Sequence, residues 1–105
     1  MTALENCSVV HHFATGIYAK EQVLLAGYEV TTHRHTYDHL SILAKGKCRV
    51  TTDQGCVEYT APACVTIEKG LNHRIEAIED ATWFCIHNTF ETDPEKVDHV
   101  LIART

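Results

Sequence analysis

From Cys7 to Asn88 the chain never runs far before a glycine, a proline or an acidic pair interrupts it, and this cadence restricts the fold more than any other feature. The segments between interruptions are short and mix β-branched, aromatic and aliphatic residues. "IYAKEQVLLA" (17–26) stops at Gly27, "YEVTTHRH" (28–35) alternates, and "HLSILA" (39–44) ends at Lys45-Gly46. "KCRVTT" (47–52) and "CVEYT" (56–60) flank Asp53-Gln54-Gly55, which reads as a hairpin turn. "ACVTIE" (63–68) follows Pro62 and ends at Lys69-Gly70, while "HRIEAI" (73–78) and "TWFCIHN" (82–88) flank Glu79-Asp80. Strands separated by turns at intervals of roughly 8–12 residues pack as an all-β sandwich or barrel.

The tail has a different character. Thr92 stands as a helix cap, with Pro94 in the first turn and Glu95 three residues after the cap. Val97, Val100 and Leu101 then share one face at helical spacing. A short helix over about 94–103 is expected, docked on the barrel or on a partner subunit.

At 105 residues and 45% hydrophobic, the chain suffices for one domain (1–105), with the barrel over about 7–88. So small a core gains from a metal or a second subunit. Because a sandwich or barrel of this size leaves an apolar sheet face to cover, a homodimer is expected. The net charge of −5, with no run of lysine or arginine, argues against nucleic-acid and anionic-membrane partners. No apolar stretch approaches the roughly 20 residues of a membrane span. Met1 to Cys7 lacks a basic stretch followed by an apolar one, so no secretory signal is expected. The five cysteines are odd in number and include no Cys-x-x-Cys, which fits reduced thiols in a cytoplasm. The even spacing of Cys48, Cys56 and Cys64 implies no bridge, since the turn opposes Cys56 to about Thr52.

Eight histidines are the one compositional oddity. His33, His35 and His39 share parity, so a strand, or two strands joined by a small bulge, turns all three to one side. A helix would separate His33 from His35. Imidazole nitrogens bind zinc, iron, manganese, nickel or copper at about 2.0–2.2 Å, and three on one concave face can reach a single ion. His73, which opens a strand after the turn "EKGLN", is the best fourth ligand, with His87 in reserve. His11 and His12 are adjacent, face opposite ways in a strand, and read as structural or surface residues. His99 falls on the exposed part of the tail helix.

These residues resemble the first cupin motif. Gly27, five residues, His33-Arg34-His35, three residues, His39, six residues and Gly46 match its spacing throughout, with His39 where the motif usually has glutamate. The second motif is matched loosely. Gly55 and Pro62 are present, Cys64 stands at a glycine position, His73 comes late, and Ala77 replaces an asparagine. The resemblance spans about residues 17–88. It implies a double-stranded β-helix, or jelly-roll barrel, of six to eight strands with one divalent metal inside one end. The implied ligands are His33, His35, His39 and His73, a four-histidine site. The "AP" after the hairpin and "EDATWFCIHNT" are also similar to small microbial and phage-encoded cupins.

Four neutral imidazoles leave a divalent ion its full +2 formal charge, which favours Lewis-acid chemistry, the reduced metal and anionic ligands. Open coordination positions suit a mononuclear dioxygenase-like oxidoreductase acting on a small organic molecule, or an isomerase or lyase. A closed tetrahedral zinc would be structural, giving a non-catalytic metal- or ligand-binding cupin or an accessory phage-type protein. Trp83, Cys85 and His87 share parity on the last strand. Trp83 and Cys85 are expected inward as substrate contacts, with His87 nearer the rim as acid or base. Tyr37 is placed to offer its phenol to a bound ligand.

Overall fold

The computed structural model describes residues 7–32 and 37–97. Nine strands succeed one another there: β1 (Cys7–Ala14), β2 (Ile17–Leu24), β3 (Glu29–Thr32), β4 (His39–Lys45), β5 (Lys47–Thr52), β6 (Gly55–Thr60), β7 (Ala63–Ile67), β8 (His73–Ala77) and β9 (Ala81–Asn88). They form a five-stranded sheet ordered β1-β2-β9-β4-β7 and a four-stranded sheet ordered β3-β8-β5-β6. Every pairing is antiparallel.

The pairings are nested. β5 joins β6, β4 joins β7, β3 joins β8 and β2 joins β9. The chain is therefore one long antiparallel ribbon, with the β5–β6 hairpin at its tip, coiled so that successive rungs fall in alternate sheets. Two further pairings, β4 with β9 and β5 with β8, join neighbouring turns of the coil. This is the jelly roll that the resemblance implies, with nine strands among the described residues where six to eight were expected. Among the described residues no helix is long and apolar enough to cross a membrane.

Side-chain alternation fills the space between the sheets. β9 turns Ala81, Trp83, Cys85 and His87 inward, β4 turns in His39, Ser41 and Leu43, and β8 turns in His73, Ile75 and Ala77. Leu24, Leu43, Ile67 and Trp83 meet Cys48, Val50 and Ile75 of the opposite sheet in one core. The outer faces differ. On the four-stranded sheet Glu29, Glu76, Arg49 and Glu58 lie in register, and Arg49 bridges Glu58 at 2.8 Å and Glu76 at 3.1 Å. On the five-stranded sheet the corresponding row pairs Leu40 with Ile86 and Ile42 with Phe84.

Two local expectations are corrected. The hairpin turn is Asp53-Gln54 alone, and Gly55 already pairs with Thr52, so Cys56 lies opposite Thr51 rather than Thr52. Gly55 takes a φ of +136° as the strand's first residue, a conformation an ordinary residue resists, which is how the turn closes in two residues. At the tail Asp93, not Thr92, makes the cap. Its carboxylate accepts from the Glu95 amide at 2.8 Å and its carbonyl accepts from Lys96 and Val97, each at 3.0 Å. The Asp93 carboxylate, one residue nearer, takes the orphan amide that the threonine hydroxyl was expected to take. Val97 is fully enclosed against Tyr18 and Phe13. The rest of the expected helix, 98–103 with His99, Val100 and Leu101, lies outside the described residues.

The two glycines that bound the first histidine motif differ in what they permit. Both have positive φ, +89° at Gly27 and +85° at Gly46. A Cβ on Gly27 would meet open space, whereas one on Gly46 would collide with the Asp80 carbonyl oxygen and lie 2.9 Å from the Ala81 Cα. Gly46→Ala should therefore cost about 3 kcal/mol, the sum of left-handed strain and a backbone displacement, against about 1 kcal/mol for Gly27→Ala. Urea denaturation of the two variants measures the difference.

Candidate metal centre

His39 is the first residue of β4 and faces inward, 6% exposed, with both ring nitrogens cut off from solvent. Across the β4–β9 pairing it meets His87, 7% exposed, with ring centroids 4.2 Å apart. The placement follows from register: Leu40 lies opposite Ile86, so the preceding and following residues are brought together on the inner face. His87 in turn lies opposite Tyr18, which lies opposite Phe13. His39, His87, Tyr18 and Phe13 thus form one inward row across four strands. The Tyr18 ring is wholly buried, stacks on Phe13 at 5.2 Å, and shares a 2.6 Å hydrogen bond with His11 Nδ1.

Tyr37 completes this cluster. Its hydroxyl lies 3.3 Å from His87 Nδ1, and its ring meets His87 edge-on at 6.0 Å. A cavity of about 430 Å³ opens here, lined by Tyr37, Asp38, His39 and His87 among others. His87 lines this cavity and is itself buried, because its partners on β2 and β4 flank it on both sides.

His73 opens β8 on the opposite sheet and is 3% exposed. Its Nδ1 lies 3.1 Å from the Leu71 carbonyl. A carbonyl accepts only, so Nδ1 carries the proton and the lone pair is on Nε2. Thr32 lies directly opposite His73 in the β3–β8 ladder. His33 and His35, which follow it, lie outside the described residues. The Asp38 carboxylate accepts from the Lys69 amide at 2.8 Å, tying the approach to His39 to the turn before His73. Sequence reading did not single out Asp38, Tyr18 or the His11 contact. For Asp38 the available signal was its place between Tyr37 and His39; for Tyr18 it was parity with an inward β2 face.

The two expected wall residues lie progressively deeper. Cys85 is buried one inward position from His87 and receives the Ser41 hydroxyl at 3.8 Å. Trp83 is one further position in, about 13 Å along the strand from His87. It is fully enclosed, its indole Nε1 has no hydrogen-bond acceptor among the described residues, and it lines neither the cavity at His39 and His87 nor the one at His73. Cys48, Cys56, Cys64 and Cys85 are all free thiols.

No family model matches the chain, and no curated protein matches it in sequence. Solved structures match it in fold. A cupin superfamily protein from Desulfitobacterium hafniense superposes with a TM-score of 0.69 at 12% identity, covering 78% of this chain and 76% of that one. KdgF from Halomonas sp. gives 0.73 at 11% identity, over 90% and 88%. A sugar phosphate isomerase of the cupin superfamily from Silicibacter pomeroyi gives 0.71 at 18% identity, over 83% and 62%. The chain has the cupin fold.

Burial pushes the Cys48 thiol up to about 11 from an ordinary value of 9.0. At pH 8 only about one molecule in a thousand then carries the thiolate. Iodoacetamide at pH 8 should modify the exposed Cys56 and Cys64 and leave Cys48 untouched until the protein unfolds, as peptide mass spectrometry would show. The unfolded chain releases this proton first, so Cys48 removes stability as pH rises from about 9 toward 11.

Proposed function

We propose that the barrel is a metal-binding cupin and acts as a mononuclear metal-dependent, dioxygenase-like oxidoreductase on a small organic molecule. The observation that carries this reading is His73. A buried, inward imidazole whose Nδ1–H is held by a backbone carbonyl turns Nε2 toward a ligand, as metal-bound histidines do when their other ring nitrogen donates to a carbonyl. His39 is the second buried donor, and the first cupin motif supplies His33 and His35. Neutral imidazoles fit iron, manganese, nickel, copper or zinc. Such an ion would supply Lewis acidity and, if redox-active, electron exchange with O₂.

The chain's own groups define the rest. Tyr37 and His87 lie within reach of sharing a proton, so His87 is placed to give or take one at a ligand beside His39, with Tyr37 fixing its ring. Cys85 packs behind His87, and Trp83 holds the core below it. A cytoplasmic setting fits the four free thiols.

A second copy is the proposed partner, seated on the outer face of the five-stranded sheet. Leu40 is 48% and Ile42 36% exposed there. His12 holds the Glu21 carboxylate at 2.8 Å, so the one acidic side chain beside this row is partnered within its own subunit. Five strands of this length offer roughly 600 Å² of flat face, close to what each side of a standard interface buries. Ile42→Glu should convert a dimer into a folded monomer in analytical ultracentrifugation. A wild-type monomer at about 100 µM, above the micromolar range such an area can reach, would remove the proposal.

Elemental analysis of wild type beside His35→Ala and His73→Ala tests the metal. About one equivalent is expected in wild type, with affinity lowered at least about 100-fold in each variant. Retention should also fall below about pH 6.5, where imidazoles take up protons. A redox-active metal with O₂ consumption supports the oxidoreductase. A coordinatively closed zinc supports the non-catalytic binding module, and no metal after reconstitution rejects the oxidoreductase and leaves the histidines to serve the fold or a small ligand.

A further inference from the structure

β6 ends the order of one sheet and β7 ends the order of the other, so a seam runs between them. A cavity of about 390 Å³ opens along it, reaching buried His73. Val50, Val57, Tyr59, Val65 and Leu71 supply apolar wall. Val50 and Val57 are register partners and so share the inner face, yet Val50 is 6% exposed and Val57 53%. The seam leaves the hairpin's inner surface uncovered where an ordinary sandwich would bury it. Glu68, exposed at the mouth, carries the only carboxylate in the lining, and no lysine or arginine is among the lining residues described. The chain as a whole is at −5.

We infer that this seam binds a compact organic molecule with a ring-sized apolar body and a neutral or cationic head group, the body against Val57 and Tyr59 and the head toward Glu68. The volume lies at the lower end of small-molecule pockets and suits one substituted ring. Apolar walls hold any such body. The carboxylate selects the head group, since an anion meets repulsion there and an ammonium meets a partner. The inference rests on the metal-centre reading only in making the inner end, at His73, the reactive one.

The test is a methyl NMR titration of the full-length protein as purified, with metal content measured on the same sample. Benzylamine, benzyl alcohol and benzoate share one body and differ in head-group charge. The methyls of Val57, Val65 and Leu71 are expected to shift, with benzylamine binding about three- to fivefold more tightly than benzoate, as an exposed ion pair allows. Glu68→Lys should bring that ratio to one or below. Val57→Trp, at an exposed side chain, should abolish the shifts without moving the melting temperature. Static methyls with all three probes overturn the inference, as does a ratio unmoved by Glu68→Lys. Any bound metal contributes equally to wild type and Glu68→Lys, so the change in ratio is independent of it. A sample without metal would sink the metal centre and leave this comparison standing.

Discussion

The pairing of β4 with β9 turns a long hairpin into a closed coil, and the site depends on it. β9 already lies against β2 as a rung of the ribbon. Only the lateral ladder to β4 sets His39 against His87 and carries Ser41 to Cys85 and Leu43 to Trp83. That ladder shifts register between Leu43 and Lys45, and just beyond the shift Gly46 passes against the backbone of Asp80 and Ala81. The histidine end and the glycine end are thus two ends of one constraint: β4 begins at His39, and the close approach at Gly46 fixes where it ends.

Along that ladder the interior changes character. Trp83, Leu43 and Leu24 form a dry floor, where apolar burial supplies the driving force at about 25 cal/mol per Å². Two positions higher the same face carries imidazoles and a phenol. Buried polar rings cost free energy unless partnered, and here the partners are specific: Leu71 for His73, Tyr37 for His87, and His11 for Tyr18. The apolar floor stabilises the barrel, and the polar rim is where ligand chemistry can be placed without breaching the core.

Much of this was legible in the sequence because strands obey a period of two. The strand positions, the inward parity of Trp83, Cys85 and His87, and the opposite facing of His11 and His12 all follow from alternation and turn residues. The burial of His39 and His73 follows the same rule. What escaped depends on distance in space. Nothing local to His87 says that β2 and β4 flank it. Nothing local to Asp38 says that the Lys69 amide is near. The cap slipped by one residue, from Thr92 to Asp93, because neighbouring cap formers compete and the sequence does not rank them. The seam beside Val57 arises because two strands end up as edges of different sheets, a fact of topology that no single strand announces.

The nested ribbon also orders assembly. Its tip, β5 with β6, joins neighbours in sequence, and each further rung joins partners more distant along the chain. Closing β2 on β9 from an open chain would meet the largest loop entropy, whereas after the inner rungs have formed each new rung closes only a short gap. Zippering outward from the hairpin is therefore the least costly route. On that route Thr32 meets His73 before Tyr18 meets His87, so the strand that carries His73 is paired before the strand that carries His87. A ligand that needs both can be captured only by a barrel that has closed its outermost rung.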